Sequence, residues 1–498
     1  MRGNSRSLRT IPLCCSAFLC LFTFTGGAQE QYPKPLVHTP EDHPAARVIL
    51  VSVDGMHALD LANWVAAHPN SALAELSARG VTYTNAHVPW ADPAAGLVAL
   101  ATGGTPLTTG LISSNGYDRA LSPAGSQCKT RGTPILLDGT LDRSDGSSAV
   151  VDTAKLPLDP LHGCVLVFPH DLLRVNNIFE VIKATGGRTA WAGESASLTD
   201  LYQGTSGNGL DEACVFEPFD SKTSVTASLA NDERRVTAIL HWIDAEDCTG
   251  TKDRPVPELF GMSLTSVSAA QAAADMGYSD GTGTLSVGLE KSFAFIDETI
   301  GRVINRLKER GLYDSTWIIV TSAYGQAPID QRKRRIVAQT HLKEIADTVQ
   351  PGLVAHLSAG DIGLIWLRDR SMTRPLVKAY AEHAAGVGIQ EIYSGAKIGL
   401  TLNSPERDPR MPDIILEPEL GVIWGSPDDT RLASHGGMQD EDTHVALLVS
   451  GAQLTGRTDK TWVPTSQVAP LLLRALGMEK FDLQALHREH TPALPGIF

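Results

Sequence analysis

Four positions along this 498-residue chain carry side chains that could hold a metal ion or move a proton. Asp54 follows the apolar run VILVSV at 48–53 and precedes Gly55. Asp244 and Cys248 lie four residues apart, a spacing that can put two ligands on one face of a helix. His435 stands in Ser434-His435-Gly436-Gly437, just before another apolar run. Carboxylate, thiolate and imidazole are the donors that zinc accepts. Each also has a plainer reading. An Asp at a strand end often makes a turn, and a His before two glycines is often only a loop residue. His170, His241 and His444 read as structural, because nothing in the sequence gives them a partner. The Gly103-Gly104-Thr105-Pro106 turn reads as a helix stop and not as a phosphate loop.

Side chains of this kind work only where a scaffold points them at one place. The run at 48–53 suits a parallel strand buried on both faces. TWIIVT at 316–321 and HVALLVS at 444–450 read the same way, and VTYTNAHV at 81–88 is a further strand. Between them lie helical patterns: from about 56 to Arg79, from Asp92 to Thr102, over 282–310 at mostly helical spacing, and over 464–477. Such alternation implies an α/β fold with a mainly parallel sheet flanked by helices. In such sheets ligands bind beyond the carboxyl ends of the strands, where Asp54 and the Ser322-Ala323-Tyr324-Gly325 turn fall. The stretch 331–430 is richer in Pro, Gly and short strands such as 362–367, and reads as an inserted cap. The expected organisation is a core over 46–330, the cap over 331–430 and a return to the core over 431–498.

Hydrophobic residues make up 42% of the chain and charged residues 20%, a globular composition. The 42 basic and 56 acidic residues give a net charge of −14, with no Lys/Arg stripe. Nucleic acid is therefore not an expected partner, because phosphate neutralisation supplies most of that affinity. Arg2, Arg6 and Arg9 precede an apolar run and the small residues Gly26, Gly27 and Ala28, which is the pattern of a secretory signal over 1–28. A linker over 29–45 follows. No later segment is long and apolar enough to span a membrane, so the expected product is exported, to a periplasm or the exterior. Four of the seven cysteines lie beyond the signal, at 128, 164, 214 and 248. An even count in an exported chain suggests disulfides, with three pairings open.

Longer segments add a resemblance. VILVSVDG, LAELSARGVTYTNA, LVALATGGTP, Gly110, Tyr117-Asp118 and STWIIVTSAYGQAPID are similar to the type I phosphodiesterase/nucleotide pyrophosphatase family, within the alkaline phosphatase superfamily. VNNIFEVIKATGGRTAW, LFGMSLTSVSAAQ and SHGGMQDEDTHVALLVS extend the likeness over about 46–496. The resemblance implies an alkaline-phosphatase-like fold. It also implies hydrolysis of phosphate diesters at two zinc ions by a Thr or Ser nucleophile, acting on a small anionic phosphate ester or nucleotide.

The departures from that pattern gather at the site. Counted back from Thr102-Gly103, the nucleophile position is Pro93, which has no hydroxyl. Pro93 instead suits the first turn of a helix, and Asp92 suits its N-cap. Asp92 would also repel an anionic substrate, by about 4 kcal/mol for like charges about 4 Å apart at an effective dielectric near 20. Asp54 matches one family ligand and His435 another. The family's Asp and His four residues apart are assigned here to Asp244 and Cys248, and its adjacent Asp-His pair to Ala323-Tyr324. The phosphate-holding Asn falls at Ser114, with Asn115 beside it. Where relatives carry Asp-Lys-His-Pro near Trp191, this chain has Gly193-Glu194-Ser195-Ala196, so a polar cluster is expected to be lost. Relatives also carry cysteines at the positions of Cys128 and Cys164, which implies that these two pair. Cys214 and Cys248 are then left either to pair with each other or to leave Cys248 free for metal. The resulting expectation is an exported family member with a degraded zinc centre, holding one ion or none, which binds a phosphate ester with impaired catalysis. The alternative is a hydrolase using one zinc-bound hydroxide on Asp244, Cys248 and His435. The oligomeric state is left open.

Overall fold

The computed structural model describes residues 44–145, 148–216, 224–478 and 483–498. The export signal and most of the linker expected after it lie outside these residues.

The core is a nine-stranded sheet. Its order runs Glu212–Cys214, Thr189–Ala192, Leu259–Leu264, Arg47–Val53, Thr316–Thr321, His444–Ser450, Gly80–His87 and Arg457–Asp459, and Val463–Pro464 also pairs with Gly80–His87. His444–Ser450 runs antiparallel to both neighbours, and the other pairings are parallel. The continuous apolar runs are explained by burial on both faces. Val48 and Leu50 enter one core together with Trp317, Ile319, Leu447 and Val449. Ile49, Val51 and Val53 enter the other with Ile318, Val320 and Leu448. The Pro93–Thr102 and Val468–Ala475 helices cover the first face, and the Val225–Ile243 and Val287–Glu309 helices cover the second.

The Pro93–Thr102 helix forms as its sequence dictates. Asp92 caps its start, Pro93 occupies its first turn, and Gly103 ends it at φ +75, which glycine adopts without a Cβ penalty. Its side chains are buried along its whole length. A Cβ at Gly96 would stand 2.0 Å from Ala323 O, so the helix rests directly on the backbone at the end of Thr316–Thr321.

A second, antiparallel sheet orders Val354–Ala359, Gly363–Leu367, Ile414–Pro418 and Ile389–Ser394. One of its faces packs on helices Thr340–Val349 and Thr373–Val387. Leu364, Trp366 and Ile415 meet Trp90, Ala95 and Ile112 of the core, so this sheet lies over the start of the Pro93 helix.

Candidate functional site

The carboxyl ends of Arg47–Val53 and Leu259–Leu264 are tied together by Asp54 N–H donating to Leu264 O at 2.9 Å. Gln271 Nε2 donates to Gly55 O at 2.8 Å and fixes the turn from the other side. Asp54 is thereby held fully buried at the strand end. Ser52 Oγ donates to its Oδ1 at 3.5 Å, and no hydrogen-bond donor reaches its Oδ2. What acts on Asp54 instead is the charge of the neighbouring carboxyls of Glu194 and Asp232. Burial, then the charges of Glu194 and Asp232, push Asp54 well above the ordinary carboxylate range, against the pull of Arg235. Burial likewise pushes Glu194 up to about 7. The residue expected to mark a lost polar cluster is therefore a buried acid at the centre of the site.

Two more charged groups complete this centre, and sequence reasoning missed both. Asp232 lies in the Val225–Ile243 helix and accepts from Thr265 N at 3.0 Å and Ser266 N at 2.9 Å. Arg235, three residues on, donates through Nη1 to Asp232 Oδ1 at 2.5 Å and through Nε to Gly193 O at 3.0 Å. Both side chains are buried. One signal could have found them. Val225, Ser228, Asp232, Val236, Ile239 and Ile243 follow helical spacing, so Asp232 stands in a stripe that faces the core.

Asp244 and Cys248 are not part of this site, which corrects the expected ligand set. Asp244 ends the Val225–Ile243 helix, twelve residues after Asp232, or about 18 Å at 1.5 Å per residue. There it accepts from Arg306 and, at 2.7 Å, from Arg310. Its two lone-pair edges are saturated by guanidinium groups. Cys248 is bonded to Cys214 with Cα atoms 6.6 Å apart, so it offers no thiolate. A one-zinc centre on Asp244, Cys248 and His435 cannot assemble. The structure also forms Cys128–Cys164, with Cα atoms 6.0 Å apart.

His435 does reach the site, but through Tyr324. The two rings lie 4.4 Å apart. Burial, then Arg431, pushes His435 down to about 4, so it is neutral at pH 7. Tyr324 is buried, with its hydroxyl 3.4 Å from Ser268 Oγ, and burial followed by the Asp54 charge drives its ionisation far up. A neutral phenol is a poor ligand for zinc. Ala323, whose backbone lies against Gly96, carries only a methyl side chain. The residues around Asp54 therefore do not fit a zinc ion. Among the described residues the ligand-type groups of three that gather closely enough are His87, Asp440 and His444, and the disulfide-bonded set Glu212, Cys214 and Cys248.

The start of the Pro93 helix is occupied as well. Asp92 Oδ1 accepts from Ala94 N at 2.9 Å, Ala95 N at 3.4 Å and Ser114 Oγ at 2.8 Å. Both of its oxygens lie 2.9 Å from Ser114 N. A helix N-terminus with free amides attracts anions, and here Asp92 is the anion. Burial raises its pKa, while these hydrogen bonds oppose the rise. The side chain of Asn115 is engaged too, its Oδ1 lying 2.9 Å from Nε2 of His356 on the second sheet. Of the two expected phosphate-holding residues, Ser114 thus spends its N–H and hydroxyl on Asp92, and Asn115 spends its Oδ1 on His356.

Comparison with known proteins fits the fold and the motifs. Murine ectonucleotide pyrophosphatase/phosphodiesterase 5 superposes with a TM-score of 0.58 at 15% identity, covering 87% of this chain and 96% of that one. An inactive variant of it, in complex with AMP, gives 0.59 at 15% identity, again over 87% and 96%. Alkaline phosphatase PafA gives 0.58 at 11% identity, over 87% and 96%. The fold is thus alkaline-phosphatase-like. Ectonucleotide pyrophosphatase/phosphodiesterase family member 3 of Mus musculus is 29% identical over 145 residues, which is 27% of this chain and 14% of that relative's length. The sequence profile described as type I phosphodiesterase / nucleotide pyrophosphatase matches residues 48–442. That match takes in the Asp54 strand end, the Asp92 helix start and the second sheet together, and the chain belongs to the type I phosphodiesterase/nucleotide pyrophosphatase family.

Proposed function

We propose that this chain is a hydrolytically silent member of its family, working outside the cytoplasm without a metal ion in the family's reaction centre. The observation that carries this reading is Asp92. Its carboxylate binds the helix amides of Ala94 and Ala95 and the N–H and hydroxyl of Ser114, the donors that a substrate phosphate would need. Three further features support it. Pro93 supplies no attacking oxygen. Asp54 faces the charges of Glu194 and Asp232, not a ligand set. Arg235 brings a cation of the protein's own to the acids around Asp54. Two disulfides support export, since such bonds persist in oxidising compartments.

The ligand class this reading keeps is a small phosphate ester or nucleotide, entering over the Pro93 helix beneath the second sheet. Such a ligand must displace Asp92 or take its proton-bearing form. Calorimetry with AMP and turnover of bis(p-nitrophenyl) phosphate, each with and without zinc, test this on the whole exported protein. The expected result is no turnover in either condition and weak AMP binding. Asp92→Ser removes the charge and keeps an N-cap side chain, and should tighten AMP at least tenfold by ending a like-charge repulsion of about 4 kcal/mol. Zinc-dependent turnover that disappears in His435→Ala would overturn the proposal.

A further inference from the structure

A different edge of the sheet carries a cluster that neither the family pattern nor the site above uses. His87 ends Gly80–His87 and His444 begins His444–Ser450, and the two are direct partners across the antiparallel pair. Opposed residues in such a pair hold their Cβ atoms about 5 Å apart, which suits two imidazoles sharing one ion. The rings stack at 4.6 Å and 12°. Asp440, four residues before His444, brings its Oδ2 to 3.6 Å from His444 Nδ1. One donor atom from each of the three residues lies within 4.8 Å of the others.

The surrounding hydrogen bonds fix which nitrogens carry protons. His444 Nε2 lies 2.8 Å from Thr84 O. A carbonyl can only accept, so Nε2 bears the hydrogen and Nδ1 keeps its lone pair, facing a carboxylate. Thr443 Oγ1 donates to Gln439 O at 3.1 Å. Its Oγ1 also lies 3.2 Å from His87 Nδ1. His87 Nε2 lies 3.0 Å from Asn85 Oδ1, which can only accept, so Nε2 bears the hydrogen and Nδ1 keeps its lone pair. The corner thus holds two imidazole lone pairs and a carboxylate. Histidine ligands in metal sites are oriented in this way, with the remote N–H spent on a backbone or side-chain oxygen.

We propose that His87, His444 and Asp440 bind one divalent transition-metal ion of the zinc class. Bonds of about 2.0 Å at tetrahedral angles place ligand atoms roughly 3.3 Å apart. A turn of the rings about χ2, a soft torsion in histidine, closes the remaining distance. His444 and His87 stand two and three strand spacings from the Asp54 strand, about 10 and 14 Å across the sheet, so the site uses none of the residues around Asp54. Trp462 stacks 5.9 Å from His87 and is 59% exposed, which leaves an optical reporter beside the ion.

The test is titration of the metal-stripped, whole exported protein with zinc, followed by calorimetry and by the thermal midpoint, with cobalt as a spectroscopic probe. One zinc per chain, a raised midpoint and visible cobalt bands of a tetrahedral nitrogen/oxygen site are expected. His444→Gln and His87→Gln should each weaken zinc at least tenfold. Asp440→Asn should do the same, and because Asp440 is 77% exposed it keeps the test valid if a histidine variant does not fold. Asp54→Asn and His435→Ala should leave the affinity unchanged. Absence of saturable zinc binding, or binding untouched by Asp440→Asn, would overturn the inference. Zinc that survives His444→Gln and is lost in Asp54→Asn would overturn it too, and would also count against a metal-free reaction centre.

Discussion

At the level of single residues, the site around Asp54 and Glu194 is a balance of buried charges. Two buried acids face each other, and one guanidinium is shared between them and Asp232. The pair holds a proton that the unfolded chain would release, because folding raises both pKa values. Its stabilising contribution is fully present below the ordinary carboxylate range and is lost as pH rises through the folded value, about 7 for Glu194. Urea unfolding from pH 5 to 8 should show a stability loss on the order of 2–3 kcal/mol that Glu194→Gln abolishes. An unchanged pH profile in Glu194→Gln would show that the pair holds no proton. Asp54's place at a strand end was legible because it follows an apolar run and precedes glycine. Glu194 was not, because a family motif replaced by other residues suggested loss, whereas one of the replacements put a new acid in the same place. Asp244 and Cys248 misled for a related reason. Spacing of four residues says that two side chains share a helical face, but not which end of the helix meets the site.

Elements of secondary structure were the most legible scale. Strands Thr316–Thr321 and His444–Ser450 match the apolar runs that foretold them, and the helix after Asp92 begins and ends at its cap and its glycine. Strand direction was not legible. An antiparallel strand buried on both faces looks like a parallel one, so His444–Ser450 gave no sign of its reversal. That reversal is what sets His444 opposite His87. The Pro93 helix also bears on the proposed silence of the site. Pro93→Thr returns a hydroxyl to the first turn, yet Asp92 still covers the amides and Ala323 still offers no ligand under Gly96. Pro93→Thr should give no diester hydrolysis with added zinc and should change stability by less than about 1 kcal/mol. Measurable turnover in that variant would show that a missing oxygen alone silenced the protein.

The whole molecule is held by two cores on the faces of one sheet, a third in the second sheet, and two long covalent loops. The Cys214–Cys248 bond spans 34 residues and joins the sheet's edge strand to the turn after the Val225–Ile243 helix. Closing a loop of that size removes unfolded-state freedom worth about 3–4 kcal/mol. The double substitution Cys214→Ala with Cys248→Ala should lower unfolding free energy by about that amount and add no zinc binding near His435. Asp92 has a further meaning at this scale. A group carried on the same chain meets its binding partner intramolecularly, without the cost of bringing in a dissolved ligand. Dissolved phosphate, sulfate and nucleotides should therefore compete poorly for the amides that Asp92 covers.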